Sequence, residues 1–547
     1  MMLNITRQLH QMKKHLVPTI PEEESTPVVR ALVAMIEVLI EENGQLRETI
    51  QQLRDEIAVL KGEKAKPKFK PSKMEQEAGK PETKDDKNND DKKRAGSAKS
   101  SKTAGLVIHE ERVITPQTPI PPGSRFKGYR DFVVQGLVIK GHNTRYRLET
   151  WQTEEGVLLT GSLPESLQGR HFDATLCSYI LYQHHHCHVT QPLLREQLTE
   201  WGIDISVGQI NAILSTKSDH FHQEKNELLT VGLEISRSVT VDDSGARHQG
   251  KNGYVTQIGN ELFAWFGSTG SKSRINFLEC LHAGEKIYQV NEAALSYMSE
   301  QGLSESVQQQ LSNNMFTDEN WRKHLANINL TNDRHMRIAT EGALLGGLLE
   351  KGLNPELAII SDGAGQFAIL LHGLCWIHAE RLIHKLIPAN DQQRDAVALV
   401  RDQIWNLYAD LKSYKIYPDP MLIEELASRF TTIFTQQTVY ATLNKTLKRL
   451  HRHKDELLLV LHRPDVPLHT NGSETDIRDF VKKRKVSGGT RSDMGRQCRD
   501  TFISLKKTCR KLGISFWQYL IDRVSLTNAI SPLPTIMRER SINMAMP

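Results

Sequence analysis

The sequence has no apolar run that approaches the roughly 20 residues of a membrane-spanning helix. Its beginning, MMLNITRQLHQMKKH, lacks the apolar core of a secretory signal. Cysteine is scarce and scattered, so a disulfide framework is not expected. The six cysteines are Cys177, Cys187, Cys280, Cys375, Cys498 and Cys509. These absences predict a cytoplasmic protein without a membrane partner.

The chain is long enough to form several domains. It has 547 residues, of which 38% are hydrophobic and 25% are charged, and this composition is typical of globular proteins. At about 150 residues per domain, the length corresponds to roughly three or four domains.

Charge is nearly balanced over the whole chain but not along it. The net charge is +5, from 70 basic and 65 acidic residues, whereas the stretch from Ala441 to Lys511 has 18 basic and 8 acidic residues, a net of +10. The rest of the chain therefore sums to −5. A concentrated basic surface attracts phosphate groups, although many charge runs are only solvated faces.

A leucine zipper is the clearest pattern near the start of the sequence. Leucine recurs at every seventh position, and the second apolar position of the heptad is β-branched except for one asparagine. Branched residues at this position favour a parallel dimer, and a single asparagine there specifies the register. Residues 28–62 are therefore predicted to form a coiled coil that makes a homodimer, with a lone amphipathic helix as the alternative. The leucines are Leu32, Leu39, Leu46, Leu53 and Leu60, and the other positions are Val29, Ile36, Asn43, Ile50 and Ile57.

Two regions of different composition follow the zipper. Residues 63–104 are rich in Lys, Asp, Pro and Ser, which is typical of a disordered linker. Residues 105–170 contain the runs DFVVQGLVIKG and TRYRLETW, which predict a small β-rich module. Residues 1–27 form an N-terminal segment for which we predict no fold.

Residues 171–220 have the pattern of two helices joined by a turn. The run QPLLREQLTEWGIDISVGQINAIL predicts a first helix, a turn at Gly202 and a second helix from Val207 to Leu214. This spacing fits a helix-turn-helix, whose second helix enters the major groove of DNA. A helical hairpin without a role in DNA binding has the same pattern.

Three carboxylates stand in settings that suit phosphoryl-transfer chemistry. The run RSVTVDDSG predicts a strand that ends in Asp242 and Asp243, and ELAIISDGAGQF places Asp362 after a second strand. Glu474 stands near a predicted helix start, with Asn471 or Ser473 as the cap. Acids at strand ends meet at one edge of an open sheet, and Mg²⁺ prefers such oxygen ligands. Strand-end carboxylates are common, so this pattern alone leaves the presence of a metal site open.

The motifs around these acids resemble those of a known family, the insertion-sequence DDE transposases of the insertion sequence sixty-six type, in the ribonuclease-H-like superfamily. The family's first motif, Asp-Glu-Thr-Gly, is similar to the stretch from Asp242 to Gly245, and its second aspartate is similar to Asp362, which precedes Gly363. Its last motif is similar to Asn471, Glu474 and Arg478, followed by the basic run KKRKVSGGTRSDMGRQ. The family's Cys-x-x-His-x-x-Arg is similar to Cys375, His378 and Arg381.

The resemblance implies a DNA transposase. Asp242, Asp362 and Glu474 are then the catalytic metal ligands, with Asp243 as the alternative for the first position. They would hold two Mg²⁺ ions, which Mn²⁺ can replace, for hydrolysis of phosphodiesters at transposon ends and strand transfer of the 3′-hydroxyl into target DNA. The implied partners are double-stranded DNA, a second copy of the chain and accessory proteins of the same element. The DNA-binding residues are Arg478, Lys482, Lys483, Arg484, Lys485 and Arg491.

The sequence departs from the family pattern in two places. The family carries a cysteine zinc module between linker and helix-turn-helix, whereas residues 106–168 contain no cysteine. Asp243 stands where the family has glutamate. The run from His184 to His188 has zinc-ligand residue types, but adjacent side chains cannot all face one ion, and we expect no zinc there.

The predicted fold class is multidomain, α+β and α/β. The catalytic core is a ribonuclease-H-like mixed sheet in three parts, 235–284, 355–391 and 462–530, separated by helical insertions at 285–354 and 392–461, and residues 531–547 form a tail. Two alternatives stay open: a nuclease of the same superfamily without strand transfer, and an inactivated relative that acts as a dimeric DNA-binding regulator.

Overall fold

The structure, a computed structural model, describes Thr26, Met35, Leu167 and residues 107–164, 171–216, 218–311 and 314–545. The predicted zipper residues Leu32, Leu39, Asn43, Leu46, Leu53 and Leu60 lie outside the described residues, as does the predicted linker. The chain divides into two compact units, one of residues 49–142 and one of residues 1–48 and 143–547. No helix among the described residues is long and apolar enough to cross a membrane.

Of the β-rich module predicted for residues 105–170, the structure describes residues 107–164 and Leu167, which contain one short hairpin. There, residues 107–149 have no regular secondary structure, and only β1 (Thr150–Gln152) and β2 (Leu158–Thr160) pair, as an antiparallel hairpin. All six residues of this hairpin are exposed. A two-stranded hairpin needs further strands or a covering helix to be stable, and the alternating apolar residues of this stretch find no such layer.

Four helices begin the larger ordered part of the chain: α1 (Ala174–His185), α2 (Gln191–Glu200), α3 (Val207–Ser215) and α4 (Asp219–Ile235). The turn between α2 and α3 contains Gly202 with φ +77°, a conformation that glycine adopts at little cost. Ser206 caps α3, and its hydroxyl and the side chain of Gln209 form a reciprocal capping box. Ile210 and Leu214 of α3 are buried in a hydrophobic core that also contains Val239 and Val241, so this helix pair is packed against the rest of the unit.

A five-stranded mixed sheet lies at the centre of this part of the chain. Its order is β5-β4-β3-β8-β9. The pairs β3 with β4 and β4 with β5 are antiparallel, whereas β8 is parallel to β3 and β9 is parallel to β8. A two-residue pair, β6 with β7, forms a separate ribbon. The strands are β3 (Ser238–His248), β4 (Lys251–Gly259), β5 (Ala264–Thr269), β6 (Tyr288–Gln289), β7 (Met315–Phe316), β8 (Ala358–Ser361) and β9 (Leu371–Leu374). The predicted mixed α and β character of the protein is confirmed.

Helices account for most of the two stretches that the sequence marked as insertions. The first contains α6 (Glu292–Glu300), α7 (Glu305–Gln308), α8 (Asp318–Asn327) and α9 (Asp333–Glu350), which follow α5 (Arg274–Leu281). After α10 (Trp376–His384), the second contains α11 (Asp391–Ile416), α12 (Met421–Thr435), α13 (Ala441–His451), α14 (Lys454–Leu457) and α15 (Leu459–His462). The last helices are α16 (Asn471–Ser487), α17 (Asp493–Lys511), α18 (Phe516–Ser525) and α19 (Leu533–Ala545).

Strand β8 separates two hydrophobic cores. Ile359 packs into the core that contains α1 to α9 and α17 to α19, whereas Ala358 and Ile360 pack into the core of the second insertion. This division follows from the alternation of side chains along a strand. Both faces of the strand that leads to Asp362 are therefore covered, which holds its end in a defined position.

Helix α17 closes the edge of the sheet at β5. Three of its side chains, four residues apart, contact the backbone of that strand: Asp500 accepts from the amide of Ser268 at 3.0 Å, and Ser504 accepts from that of Phe266 at 2.9 Å. Thr508 does the same for Ala264 at 3.2 Å. An unpaired edge is a site for unwanted strand pairing, and these side chains occupy its hydrogen-bonding groups.

Candidate active site

Asp242 and Asp362 come from neighbouring parallel strands. The register pairs Ser238 with Ala358 and Thr240 with Ile360. Asp242 and Asp362 follow these paired positions, and the charge of Asp362 contributes to the raised pKa of Asp242, so the two carboxylates lie near each other. Asp242 lies within the long strand β3, which continues to His248, so the prediction that the strand ends at these acids is wrong. The reason is that Ser244 to His248 stay paired with β4 beyond the point where β8 ends.

Glu474 reaches the same face of the sheet from helix α16. The hydroxyl of Ser473 lies 2.6 Å from the hydroxyl of Thr240, two residues before Asp242 on β3. Glu474 stands in the first turn of the helix, whose cap position is Thr470. The predicted caps Asn471 and Ser473 are therefore wrong, since both lie inside the helix. Ser473 is buried against β3 and joins the helix to the strand.

The side chain of Asp243 points to the opposite face of β3. Its carboxylate accepts from the hydroxyl of Thr256 at 2.6 Å and from the side-chain amide of Gln366 at 2.9 Å. Successive residues of a strand face opposite sides, and Thr240 and Asp242 share the side on which α16 packs. The structure therefore brings Asp242, and not Asp243, to the face that carries Glu474.

A second group of residues surrounds Glu474. Cys375 precedes helix α10, and His378 and Arg381 follow at intervals of three residues, so they lie on one side of that helix. The guanidinium of Arg381 donates to Glu474 at 3.1 Å, and Nε2 of His378 lies 3.6 Å from the same oxygen. Although burial opposes its charge, the nearby Cys375 thiol and Glu474 carboxylate raise the pKa of His378.

Negative charge accumulates around Asp242. Burial, together with the negative charges of Asp362 and Glu474, raises the pKa of Asp242 to about 6, against the effects of its hydrogen bond from the Asp243 amide and the nearby His378. A buried carboxylate beside like charges is a common arrangement in functional sites. It is also what a divalent cation neutralises.

We expect Asp242→Asn to stabilise the metal-free protein in a pH-dependent way. The pKa of Asp242 is raised in the folded state, from the usual 3.8 to about 6, so the folded protein holds this proton more tightly than the unfolded chain does. Protonated Asp242 therefore favours folding fully below pH 3.8, and this contribution is lost as the pH rises to about 6. Asparagine removes that penalty, so the free energy of unfolding rises by about 1–3 kcal/mol at pH 8 and by little at pH 4. Urea unfolding in EDTA at both pH values measures the difference. An equal gain at both would contradict the assigned cause.

The chemistry of the donor atoms in this cluster suits Mg²⁺, but their arrangement in the described part of the chain does not form a metal site. Asp242 and Asp362 supply the hard oxygen ligands that Mg²⁺ takes. Among the residues that the structure describes, however, no group of three or more His, Cys, Asp or Glu side chains is arranged to hold a metal ion. The third predicted ligand, Glu474, is bound by Arg381 instead. The residue types therefore suit the cation, whereas Glu474 is paired with Arg381 in this structure.

Only part of the predicted phosphate-binding set is exposed. Arg478, Lys482, Lys485 and Arg491 are accessible to solvent. Lys483 is 7% exposed and donates to the carbonyl oxygen of His184 in α1 at 2.8 Å. Burial and the nearby Lys506 lower the pKa of Lys483 to about 8.

Arg484 is half-buried, and its guanidinium donates to the Gly245 carbonyl of β3. The period of the helix turns Lys483 and part of Arg484 toward the protein, so their contact with DNA stays a prediction, with less exposed charge than at Lys482 and Lys485.

The excess of basic residues near the C-terminus is partly an internal ion-pair network. The ammonium group of Lys506 lies 2.8 Å from Asp479, and that of Lys507 lies 3.3 Å from it. Lys511 pairs with Asp476 at 3.1 Å. Both Lys506 and Lys507 are buried. These lysines hold α17 against α16, so the exposed positive charge is smaller than the count of residues indicates.

The histidine run at the end of α1 has structural contacts. Nδ1 of His184 lies 2.9 Å from the carbonyl oxygen of Val189, and His185 stacks on Phe502 with ring centroids 4.2 Å apart. His186 stacks on Tyr182 at 4.5 Å. These rings pack α1 against α17 and against its own last turn.

Sequence patterns do not assign Thr240 or Gln366 to the site, and they indicate Ser473 only as a possible helix cap. Thr240 and Ser473 join the strand of the first acid to the helix of the third, and Gln366 ties Asp243 to the loop after Asp362. Thr240 stands two residues before Asp242, and Ser473 immediately before Glu474, so proximity to the acids was the available signal. Their contacts span 233 and 123 positions of the chain, which local patterns do not encode.

Two comparisons relate the chain to known proteins. Residues 330–498 match the family model described as the Transposase IS66 family. The segment includes Asp362, Arg381 and Glu474 and does not include Asp242. The chain is also 44% identical over 321 residues to the uncharacterized protein y4jO of Sinorhizobium fredii (strain NBRC 101917 / NGR234), and the match covers 57% of this chain and 100% of y4jO.

Proposed function

We propose that the chain is a transposase that cleaves phosphodiesters at transposon ends and transfers the 3′-hydroxyl into target DNA, since its residues 330–498 match the model of the Transposase IS66 family. The observation that carries this proposal is the convergence of three acids distant in sequence. The register of β3 and β8 supports a site for Asp242 beside Asp362, and the contact of Ser473 with Thr240 brings the helix of Glu474 to the same face. The order and directions of the five strands support a ribonuclease-H-like core.

In this proposal, Asp242, Asp362 and Glu474 hold two Mg²⁺ ions, for which Mn²⁺ can substitute. Two-metal chemistry of this kind supplies an activated attacking oxygen and charge stabilisation for the leaving oxygen. The buried position of Asp242 limits water around its carboxylate, which strengthens its interaction with a cation. Arg478 and Lys482 lie one and two turns after Glu474 on α16 and contact phosphates near the reacting bond.

The remaining elements provide DNA recognition and assembly. The helix pair α2 and α3 acts as the helix-turn-helix, with α3 in the major groove. The zipper of residues 28–62 makes the homodimer. The test compares the sedimentation of the full wild-type chain with that of the Leu46→Pro variant. The variant is expected to be a monomer, because proline breaks the coil. An unchanged dimer in that variant would assign the contact to another surface. Accessory proteins of the same element are proposed as further partners.

The test of the function is a cleavage and joining assay with the full chain. Short inverted repeats that flank the coding region, bordered by a small target duplication, identify the duplex to use. The expected result is cleavage of this duplex in Mg²⁺ but not in EDTA, followed by joining of the ends to a second DNA. Cleavage without joining favours a nuclease, and binding without cleavage favours a regulator.

The exposed and buried basic residues of α16 predict different effects on DNA binding. We expect each of three variants to weaken binding to all DNA sequences alike: Lys482→Gln, Lys485→Gln and Arg491→Gln. Each should reduce the magnitude of the negative slope of log K against log salt by about one, because binding then releases one counterion fewer. Lys483→Met keeps the aliphatic stem and is expected to leave the slope unchanged. Fluorescence anisotropy at several salt concentrations measures both. A reduced slope for Lys483→Met would place that lysine on the DNA.

A further inference from the structure

The carboxylate of Glu474 is surrounded by positive groups from two helices. Arg381 of α10 lies 3.1 Å from one oxygen, and His378 of the same helix lies 3.6 Å from it. Arg478, one turn later on α16, lies 3.5 Å from the other oxygen. The side chain of Glu474 is only 14% exposed. Both of its oxygens therefore have cationic neighbours, whereas Asp242 and Asp362 have no arginine or lysine contact among the described residues.

The two arginines can reach other anions. The side chain of Arg381 is 33% exposed and that of Arg478 is 64% exposed, so both guanidinium groups reach solvent while they hold Glu474. Guanidinium binds phosphate as well as carboxylate, through paired hydrogen bonds of fixed geometry. A phosphodiester of bound DNA can therefore compete with Glu474 for the same donors.

We propose that Arg381, assisted by His378 and Arg478, is a clamp that withholds Glu474 from divalent cations until a DNA phosphate draws the guanidinium away. This inference rests on the proposed function, since it concerns the same three acids. Arg381 is a positioning residue, because it acts through Glu474.

The clamp accounts for the different partners of the three acids. Asp242 and Asp362 have no arginine or lysine contact among the described residues, whereas Glu474 is paired with Arg381. Each charge keeps a partner of opposite sign in the exchange. Arg381 binds the DNA phosphate, and the released carboxylate of Glu474 binds the cation. DNA binding and cation binding are then coupled, and the coupling is reciprocal. A free protein with this device does not assemble its full hydrolytic centre in the absence of DNA.

The direct test is Mn²⁺ binding to the full chain without DNA, measured by isothermal titration calorimetry. Arg381→Gln is expected to bind Mn²⁺ about tenfold more tightly than the wild type, because Glu474 is released. The matched control is Arg429→Gln, which removes another arginine–carboxylate pair, Arg429 with Asp410 at 2.6 Å, in the second helical insertion. This control is expected to bind Mn²⁺ as the wild type does. An unchanged or weaker affinity in Arg381→Gln overturns the clamp.

Glu474→Gln provides a second test that does not depend on the folding of Arg381 variants. If the clamp holds, Glu474→Gln is expected to weaken Mn²⁺ binding without DNA by less than about threefold, because Glu474 then acts only through its charge at a distance. With the duplex present, the wild type binds about tenfold more tightly than the variant. In the Arg381→Gln background, Glu474→Gln removes the gained affinity. A tenfold loss in Glu474→Gln without DNA means that Glu474 is already a ligand, and it overturns the clamp.

Failure of the clamp and failure of the proposed function give different results. If the wild type cleaves the duplex in Mg²⁺ but Arg381→Gln gains no Mn²⁺ affinity, only the clamp is overturned. If the wild type does not cleave and Glu474→Gln changes Mn²⁺ affinity neither with nor without DNA, the proposed metal site is itself overturned.

Discussion

Asp242→Asn is expected to lower the rate of DNA cleavage about a thousandfold or more while DNA affinity stays within about twofold. A metal-bound oxygen contributes several kcal/mol of charge stabilisation in the transition state, and each 1.36 kcal/mol corresponds to a factor of ten in rate. Asp242 lies on the face of β3 against which the helix of Glu474 packs, whereas the adjacent Asp243 is bound by Thr256 and Gln366. Single-turnover cleavage of an element-end duplex in Mg²⁺ measures the rate, and anisotropy measures the affinity.

The matched control is Asp243→Asn, one residue further along the same strand. Asp243 accepts hydrogen bonds from Thr256 and Gln366 on the opposite face, so its replacement is expected to slow cleavage about tenfold or less, through local repacking. Asp362→Asn and Glu474→Gln are expected to behave as Asp242→Asn does. Full cleavage by Asp242→Asn together with loss in Asp243→Asn would transfer the first ligand position to Asp243.

The largest expected loss of stability follows the removal of Glu224 from helix α4. Its carboxylate is 7% exposed and accepts from Tyr519 at 2.7 Å, from Arg523 at 3.1 Å and from the amide of Leu533 at 2.8 Å. Glu224→Ala leaves Arg523 charged and buried with Asp522 as its remaining carboxylate partner. Breaking a buried pair from one side costs about 3–5 kcal/mol, and we expect a loss of this size in the free energy of unfolding.

The same helix supplies the control for this prediction. Glu234 also pairs with an arginine near the C-terminus, Arg538 at 2.5 Å, but both side chains are about half exposed. Glu234→Ala is expected to cost less than about 1 kcal/mol, because an exposed ion pair is screened by solvent. Urea unfolding of the two variants at neutral pH compares them. Equal losses would mean that burial is not what makes the Glu224 pair important.

Much of the chain's local structure could be predicted from its sequence. The strands around Asp242 and Asp362, the helices α2 and α3 and the helix of Glu474 follow from local alternation, helical periodicity and turn residues. The exposed run of residues 107–149 shows the limit of this reasoning. Its alternating apolar residues have the pattern of strands, but strand formation also needs a partner that the pattern does not specify.

The types of chemistry available to the protein were therefore determined by the sequence alone. Carboxylates after apolar strands, arginine four residues after Glu474 and a run of lysines indicate acids for a cation and bases for phosphate, because side-chain chemistry does not depend on the fold.

Only the tertiary structure decided which of these groups meet. Helix α16 packs on the face of β3 that carries Thr240 and Asp242, and the same helix buries Lys483 in the protein. Helix α10 brings Arg381 to the carboxylate of Glu474. Each of these contacts joins residues far apart along the chain, and its geometry depends on how whole strands and helices pack rather than on any local pattern.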